Sequence, residues 1–260
     1  MKKTVYINPS YKELEKILSQ IPGNYRWMGK TIHCGRNEVK LFNIQGKTIA
    51  IKSYKKITWI NRIVYALIRK SKSQRAYENS MRIIQQGISS PEPIAHISVY
   101  RNCCLVKDFY VSLYTNYRPI GAILSLPISE SEFALRSFAN FSYHLHVMGI
   151  YHGDYTLNNV LYSYNGFRYD FSLIDNNRIR FGRYNPKRGL RNLQRLFLPV
   201  ENIGIISAEY ALRSNINALK TIVGIAFYRL QYLGRTSMKK RFKSLIRKLN
   251  VKTIITAPIK

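Results

Sequence analysis

His152-Gly153-Asp154-Tyr155-Thr156-Leu157-Asn158-Asn159-Val160-Leu161, followed by Leu173-Ile174-Asp175, is the stretch on which the reading of this chain turns. An Asp, an Asn five residues later and a second Asp one strand hairpin beyond is a spacing that suits phosphoryl transfer. Asp154 can take a proton from an acceptor hydroxyl, and Asn159 and Asp175 can hold magnesium against the phosphates of ATP. Each residue alone would pass as an ordinary turn or cap residue. The order in which they occur together carries the meaning.

The flanks suit that role. Ser129 or Ser131 starts a predicted helix to about Met148, with Ala134, Phe138, Phe141, Leu145 and Met148 on one face. Residues 160–164 and 168–173 read as a hairpin around Asn165-Gly166. Such a hairpin returns Asp175 close to Asn159, so that both can share one cation. His152 reads as a structural hydrogen-bonder beneath the loop; His33, His96, His144 and His146 carry no comparable signal.

Upstream, Ile49-Ala50-Ile51-Lys52 is an alternating strand that puts Ala50 and Lys52 on one face. A small residue beside the lysine leaves room for a flat ring such as adenine. Glu78, one of thirteen acidic residues, falls on a predicted helix over 73–86 beside Tyr77 and Met81. An ion pair from Glu78 is expected to aim Lys52 at the phosphates. Gly35 with Arg36 and Asn37 reads equally well as a plain hairpin turn and as a turn over the phosphates.

The remaining elements follow from periodicity and turn residues. Ser10 and Glu13 suggest a capping box for a helix to about Gln20, ended by Pro22-Gly23. Residues 25–54 read as three strands, with 25–28 and 31–34 flanking Gly29, then 39–44, then 48–54; residues 94–100 and 103–109 read as two more. A helix over 57–69 has Ile57, Ile60, Ile63, Val64, Leu67 and Ile68 inward, with Lys55, Arg62, Arg69 and Trp59 on its flank. Beyond Pro186 the chain reads as helices over 187–198, 201–214, 217–233 and 237–249. The last has Met238, Phe242, Leu245 and Leu249 on one face and seven basic residues around them, Arg235 to Lys248. A mostly-β front and a mostly helical back predict an α+β pair of lobes, 1–109 and 110–260, with ligand binding in the cleft.

Composition bounds the partners. Forty-two Lys and Arg against thirteen acids give a net charge of +29, with a pI near 10.2. A polyanion is implied: an anionic membrane face, a phosphorylated ligand or nucleic acid. Basic amphipathic helices with an aromatic residue suit the membrane face. Cys34, Cys103 and Cys104 read as reduced core residues of a cytosolic protein. No secretory signal is evident after Lys2-Lys3, and no apolar run is long enough to span a bilayer.

At Lys52, Glu78, His152-Gly153-Asp154, Asn159 and Asp175 the chain resembles the lipopolysaccharide core kinases, the Kdo/heptose kinase family of the protein-kinase-like superfamily. The resemblance covers roughly residues 25–200 and implies a bilobal protein-kinase-like fold with a β-rich N-lobe and a mostly helical C-lobe. It implies Lys52 and Ala50 at the nucleotide, Glu78 as the helix partner of Lys52, Asp154 as base, and Asn159 and Asp175 as magnesium ligands. Arg178, three residues past Asp175, fits a pattern common in the family. Gly153 in place of the arginine usual in protein kinases, and Asp175-Asn176-Asn177 in place of Asp-Phe-Gly, point away from a protein substrate.

The expected activity is ATP- and Mg2+-dependent phosphorylation of a sugar hydroxyl, Kdo ahead of heptose, on a lipid A–core acceptor. The expected location is the cytoplasmic face of the bacterial inner membrane, with the protein held there peripherally by its basic patches. Two alternatives stand beside it: an atypical protein kinase of RNA-associated substrates, and a kinase-shaped binding module without activity. Nucleic acid ranks behind the membrane as partner.

Overall fold

The structure is a computed structural model that describes residues 2–55 and 69–255, without the side chains of 240, 243 and 245–255. The expected helix over 57–69 lies outside the described residues but for Arg69, and the side chains of Leu245 and Leu249 of the C-terminal apolar face lie outside the description as well. Two compact units are present, Met1–Ile123 with Ile150–Gly182, and Leu124–Gly149 with Arg183–Lys260.

The first unit is built on a six-stranded sheet in the order β1-β5-β6-β4-β3-β2. Its strands are β1 (Lys2–Ile7), β2 (Lys30–Cys34), β3 (Glu38–Ile44), β4 (Lys47–Ser53), β5 (Pro93–Arg101) and β6 (Cys104–Leu113), and every pairing is antiparallel. Alternation gives the sheet two different faces. Ile49 and Ile51 of β4, Phe109 and Val111 of β6 and Ile97 of β5 join one apolar cluster with Leu14, Leu18 and Ile21. Helix α1 (Glu15–Asn24) supplies the last two. Asp108, Tyr110 and Ser112 of β6, and Ala50 and Lys52 of β4, belong to the opposite, polar face. The expected nucleotide residues Ala50 and Lys52 thus share that face.

Several local expectations are corrected. Asn8, not Ser10, caps the turn Pro9–Leu14 that leads into α1, its Oδ1 accepting from the Ser10 N–H at 3.1 Å. Pro9 at the first helical position fits that cap. Glu13 pairs with Lys47 at 3.5 Å instead of closing a capping box. Pro22 lies inside α1, where burial of Leu18 and Ile21 against the sheet outweighs the missing N–H. Residues 25–28 form turns rather than a strand. Their carbonyls are taken by the buried Lys40 ammonium, which donates to Tyr25 at 2.9 Å, Arg26 at 3.0 Å and Met28 at 3.1 Å. Strand β1 was not foreseen; its lysines and exposure suit a sheet edge, which needs no apolar signature. Cys34 and Cys103 are exposed and Cys104 half-buried, at hairpin ends rather than in the core.

Helix α2 (Lys72–Gln85) crosses the polar face of the sheet. Ser71 caps it, and the buried Asp108 carboxylate accepts from the Ser73 N–H at 3.1 Å, from the Ser73 hydroxyl and from the Ser98 hydroxyl at 3.0 Å. Two small sheets complete the unit: β7 (Arg118–Pro119) with β9 (Val160–Tyr164) and β10 (Tyr169–Leu173), and β8 (Ile150–His152) with β11 (Ile179–Phe181).

The second unit is helical. Its long helix α3 (Ile128–Val147) buries Ala134, Leu135, Phe138 and Leu145. Helices α4 (Pro186–Asn192) and α5 (Val200–Ser214) follow. The two helices expected over 217–233 and 237–249 are one, α6 (Ala218–Ile255), continuous through Gly234. Two buried polar side chains of this unit are well partnered. His146 is bonded to the Tyr210 hydroxyl at 2.8 Å and to Asn192 Oδ1 at 3.1 Å, and Glu209 lies between Arg136 and Arg213.

Candidate active site

Lys52 and Asp175 meet. Lys52 Nζ stands 2.5 Å from Asp175 Oδ1, although 123 residues separate them in sequence. Both lie in the first unit, as do Asp154 and Asn159. Ala50, Lys52, Asn159 and Asp175 line one cavity of about 540 Å³, together with Asn37, Val39, Tyr110 and Ile174. The strand alternation read from 49–52 holds, since Ile49 and Ile51 are fully buried on the other face.

The loop after β8 is held from below. His152 is 1% exposed. The Asp154 N–H donates to His152 Nδ1 at 3.1 Å, so Nε2 carries the proton and donates to the Ile174 carbonyl at 3.0 Å. Burial lowers the His152 pKa, against weaker opposing effects of its hydrogen bonds and the two carboxylates, and favours this neutral ring. One imidazole thereby ties the Asp154 loop to the segment preceding Asp175. Asn159 adds a second tie: its Nδ2 donates to the Asp154 carbonyl at 2.8 Å, and its own carbonyl accepts from the Ile174 N–H at 3.0 Å. With Nδ2 committed, Oδ1 is the Asn159 atom available to a cation.

Asp175 occupies the left-handed region at φ 59 and ψ 41, a conformation that Asp tolerates better than most residues and that recurs at functional sites. Burial pushes its carboxyl up, but the Lys52 ammonium, with smaller help from His152 and Arg178, holds it below the ordinary carboxylate range. Arg178 Nη1 lies 3.4 Å from Asp154 Oδ2. Gly153 packs directly on Arg178: a Cβ there would come within 2.5 Å of the Arg178 carbonyl oxygen. The absence of a side chain at 153 is therefore a requirement of this packing.

Glu78 is not brought to Lys52. It pairs with Lys70 at 2.8 Å, with Gln74 donating at 3.0 Å. The buried residues of α2 are Ser73, Ala76, Tyr77, Ser80 and Ile83, a face that keeps Tyr77 but turns away from Met81, beside which the sequence placed Glu78. Two of these are serines that answer polar partners, Asp108 and Tyr110, so hydrophobicity alone could not mark the face. Lys52 has Asp175 as its counter-ion in this structure.

Three contributors had no signal in the sequence. Asn177 Nδ2 donates to Asp175 Oδ1 at 2.6 Å. Asn176 is buried and donates to Ser80 Oγ and Ser90 Oγ, both at 2.9 Å, while its carbonyl accepts from Asn79 Nδ2 at 2.7 Å. The Asp175-Asn176-Asn177 run thus docks α2 through hydrogen bonds. Tyr54 is the third, its ring beneath the Lys52 ammonium at 5.4 Å.

No family model and no curated protein matches the chain. Among solved structures, WaaP in complex with acyl carrier protein has a similar fold, with a TM-score of 0.60 over 91% of this chain and 98% of that one, at 12% identity. The chain has a protein-kinase-like fold, with a β-rich N-terminal part and a helical C-terminal part. Among the described residues no helix is long and apolar enough to cross a membrane.

A bound magnesium ion fits the oxygens present. Asp175 offers a carboxylate and Asn159 an amide oxygen, and magnesium in nucleotide sites takes one or two protein oxygens and fills the rest with phosphates and water.

Proposed function

We propose that the chain is an ATP- and magnesium-dependent kinase of a sugar hydroxyl in the lipopolysaccharide inner core, with Kdo the preferred acceptor over heptose. The observation that carries this reading is the approach of Lys52 to Asp175 in the same unit as Asp154 and Asn159. The fold shared with WaaP, a lipopolysaccharide core heptose kinase, supports it.

Ala50 leaves room for adenine, and Lys52 releases Asp175 to take the α and β phosphates. Asp175 and Asn159 Oδ1 would hold magnesium, which would neutralise phosphate charge. The acceptor hydroxyl gives its proton to the Asp154 carboxylate as its oxygen bonds to the γ phosphorus. The bond from that phosphorus to the bridging oxygen breaks, and ADP leaves. Arg178 and the His152 and Asn159 hydrogen bonds orient Asp154. An N-lobe of 1–109 and a C-lobe of 110–260, with β6 running through their junction, belong to the same proposal.

The location belongs to it as well: peripheral, on the cytoplasmic face of the inner membrane. On α6, Met238 and Phe242 are each 65% exposed, among Arg235, Lys239 and Arg241. A bilayer surface would cover that apolar area, and each basic residue near anionic lipid adds about 1 kcal/mol.

The deciding measurement is the mass of lipid A–core from cells lacking the protein. One phosphate should be missing, restored by the wild-type chain and not by Asp154→Asn. Restoration by Asp154→Asn would remove the base assignment, and an unchanged mass would remove the substrate class. Co-sedimentation with anionic vesicles, set against filter binding to RNA, separates the membrane reading from the RNA-associated one.

A further inference from the structure

Lys52 does not have the helix partner that the resemblance implied. Glu78 is taken by Lys70 and Gln74, and α2 offers the cavity the methyl group of Ala76. Asp175 is the counter-ion that Lys52 has instead. On the kinase reading, Asp175 turns to the metal and Lys52 leaves it for the phosphates. An ammonium on a flexible four-carbon stem then needs another group to keep it in place.

The Tyr54 ring is in position to be that group. The Tyr54 N–H donates to the Asp108 carbonyl at 3.0 Å, so the pairing of β4 with β6 runs one residue past Ser53. Tyr54, two residues after Lys52, therefore lies on the same face of the sheet. Its side chain is buried and lines the cavity together with Lys52 and Asp175. Lys52 Nζ stands 5.4 Å from the ring centre. That distance is within reach of cation–π attraction, which strengthens where water is excluded.

The ring is itself held. Lys72, at the start of α2, approaches it at 5.5 Å. Asn177 Nδ2 donates to its hydroxyl at 3.5 Å, and the same Nδ2 donates to Asp175 Oδ1 at 2.6 Å. Lys52, Asp175, Asn177 and Tyr54 thus form a closed circuit of contacts. Two of its links, ammonium to ring and amide to hydroxyl, do not pass through Asp175. Both persist when that carboxylate turns away.

We infer that Tyr54 is a positioning residue whose ring holds the Lys52 ammonium once Asp175 releases it, in the place that the sequence gave to Glu78. The inference rests on the kinase reading for what Lys52 then meets, the phosphates of a nucleotide. A ring differs from a carboxylate in one respect that matters here. It is neutral, so it orients the ammonium without cancelling the charge that the phosphates need. The π face does the holding, so phenylalanine at 54 keeps the function and an aliphatic residue loses it.

The test follows the Lys52 side chain by NMR in the full chain labelled with 13C-lysine, its signal assigned by its loss in Lys52→Arg. Protons over an aromatic face are shielded, so the Lys52 ε-methylene should resonate upfield of those of exposed lysines. The displacement should persist in Asp175→Asn, where no carboxylate holds the ammonium, and in Tyr54→Phe; Tyr54→Leu should abolish it. Calorimetry with ADP and magnesium should show binding weakened about tenfold in Tyr54→Leu and recovered to within about threefold of wild type in Tyr54→Phe. An undisplaced wild-type signal would overturn the contact, and that spectrum decides even if Tyr54→Leu does not fold. A displacement lost in Asp175→Asn would show that the carboxylate alone places the ammonium and would equally overturn the inference. Equal loss of ADP binding in Tyr54→Phe and Tyr54→Leu would assign the effect to the hydroxyl and overturn the role of the ring. If the wild type binds no ADP, the kinase reading fails by itself, and the nucleotide-free spectra still decide whether Tyr54 holds Lys52.

Discussion

Lys52 Nζ on β4 and Asp175 Oδ1 just past β10 stand 2.5 Å apart, with side chains 18% and 22% exposed. The pair links the six-stranded sheet to the loop beyond a different sheet, and Asn177 shares the same carboxylate oxygen at 2.6 Å. The ammonium and the carboxylate proposed above for a nucleotide and its metal thus neutralise one another here.

Lys52→Met should destabilise the protein by about 2 kcal/mol, between an exposed pair and a buried one that loses a partner. Lys52→Met combined with Asp175→Asn should recover part of the loss, because the stranded carboxylate is then gone. Urea unfolding of the four proteins in the cycle measures both. Strict additivity would mean that the two side chains do not interact.

Gly153→Ala should cost about 1–3 kcal/mol, because its Cβ would meet backbone 2.5 Å away at the Arg178 carbonyl. It should also push Arg178 off Asp154. Gly204→Ala on α5 has open space around the new Cβ and should be neutral or stabilising by up to about 1 kcal/mol. Thermal melts of the two variants would show the contrast; similar melting temperatures would contradict the packing at 153.

Lys40→Met should be strongly destabilising, by about 3 kcal/mol, since the buried ammonium holds three backbone carbonyls that would be left unpaired. A more stable Lys40→Met protein would show instead that desolvation of the ammonium dominates.

Acid should weaken the fold in two stages. Burial lowers His96 and His146 to about 4, below the unfolded value of about 6.5. The unfolded chain therefore binds more protons between these values. The contribution is complete above about 6.5 and is lost as pH falls, by about 1.4 kcal/mol per pH unit for each histidine. His152 shifts in the same direction. Asp175, also depressed, acts at lower pH: its contribution is present above the usual carboxylate range and disappears as pH falls through its folded value. Urea midpoints at pH 7 and pH 5 test the first stage; equal midpoints would rule it out.

Strong local patterns proved legible. The alternation of 49–52 put Ala50 and Lys52 on one face, and Asn165-Gly166 marked the β9–β10 turn. The long helix before the Asp154 loop appeared within one to three residues of its predicted ends. His152 does act as a hydrogen-bonder beneath the loop. Elements without an apolar signature were harder to read. Strand β1 is polar because it is a sheet edge, and α2 buries serines because it faces a carboxylate.

The chain itself determined which chemical groups exist and their order: a lysine after an alternating strand, Asp154 and Asn159 at a turn, Asp175 after a hairpin, and a large excess of positive charge. Local periodicity and turn propensity suffice for that, since they act over a few residues. Tertiary packing decided that Asp175 rather than Glu78 faces Lys52, that Asn176 and Asn177 brace the loop, and that Lys72 shares Tyr54 with Lys52. Those outcomes depend on how α2 is rotated about its axis. The rotation is set by buried hydrogen bonds to Asp108, Tyr110 and Asn176, whose partners lie tens of residues away and leave no periodic trace in the sequence.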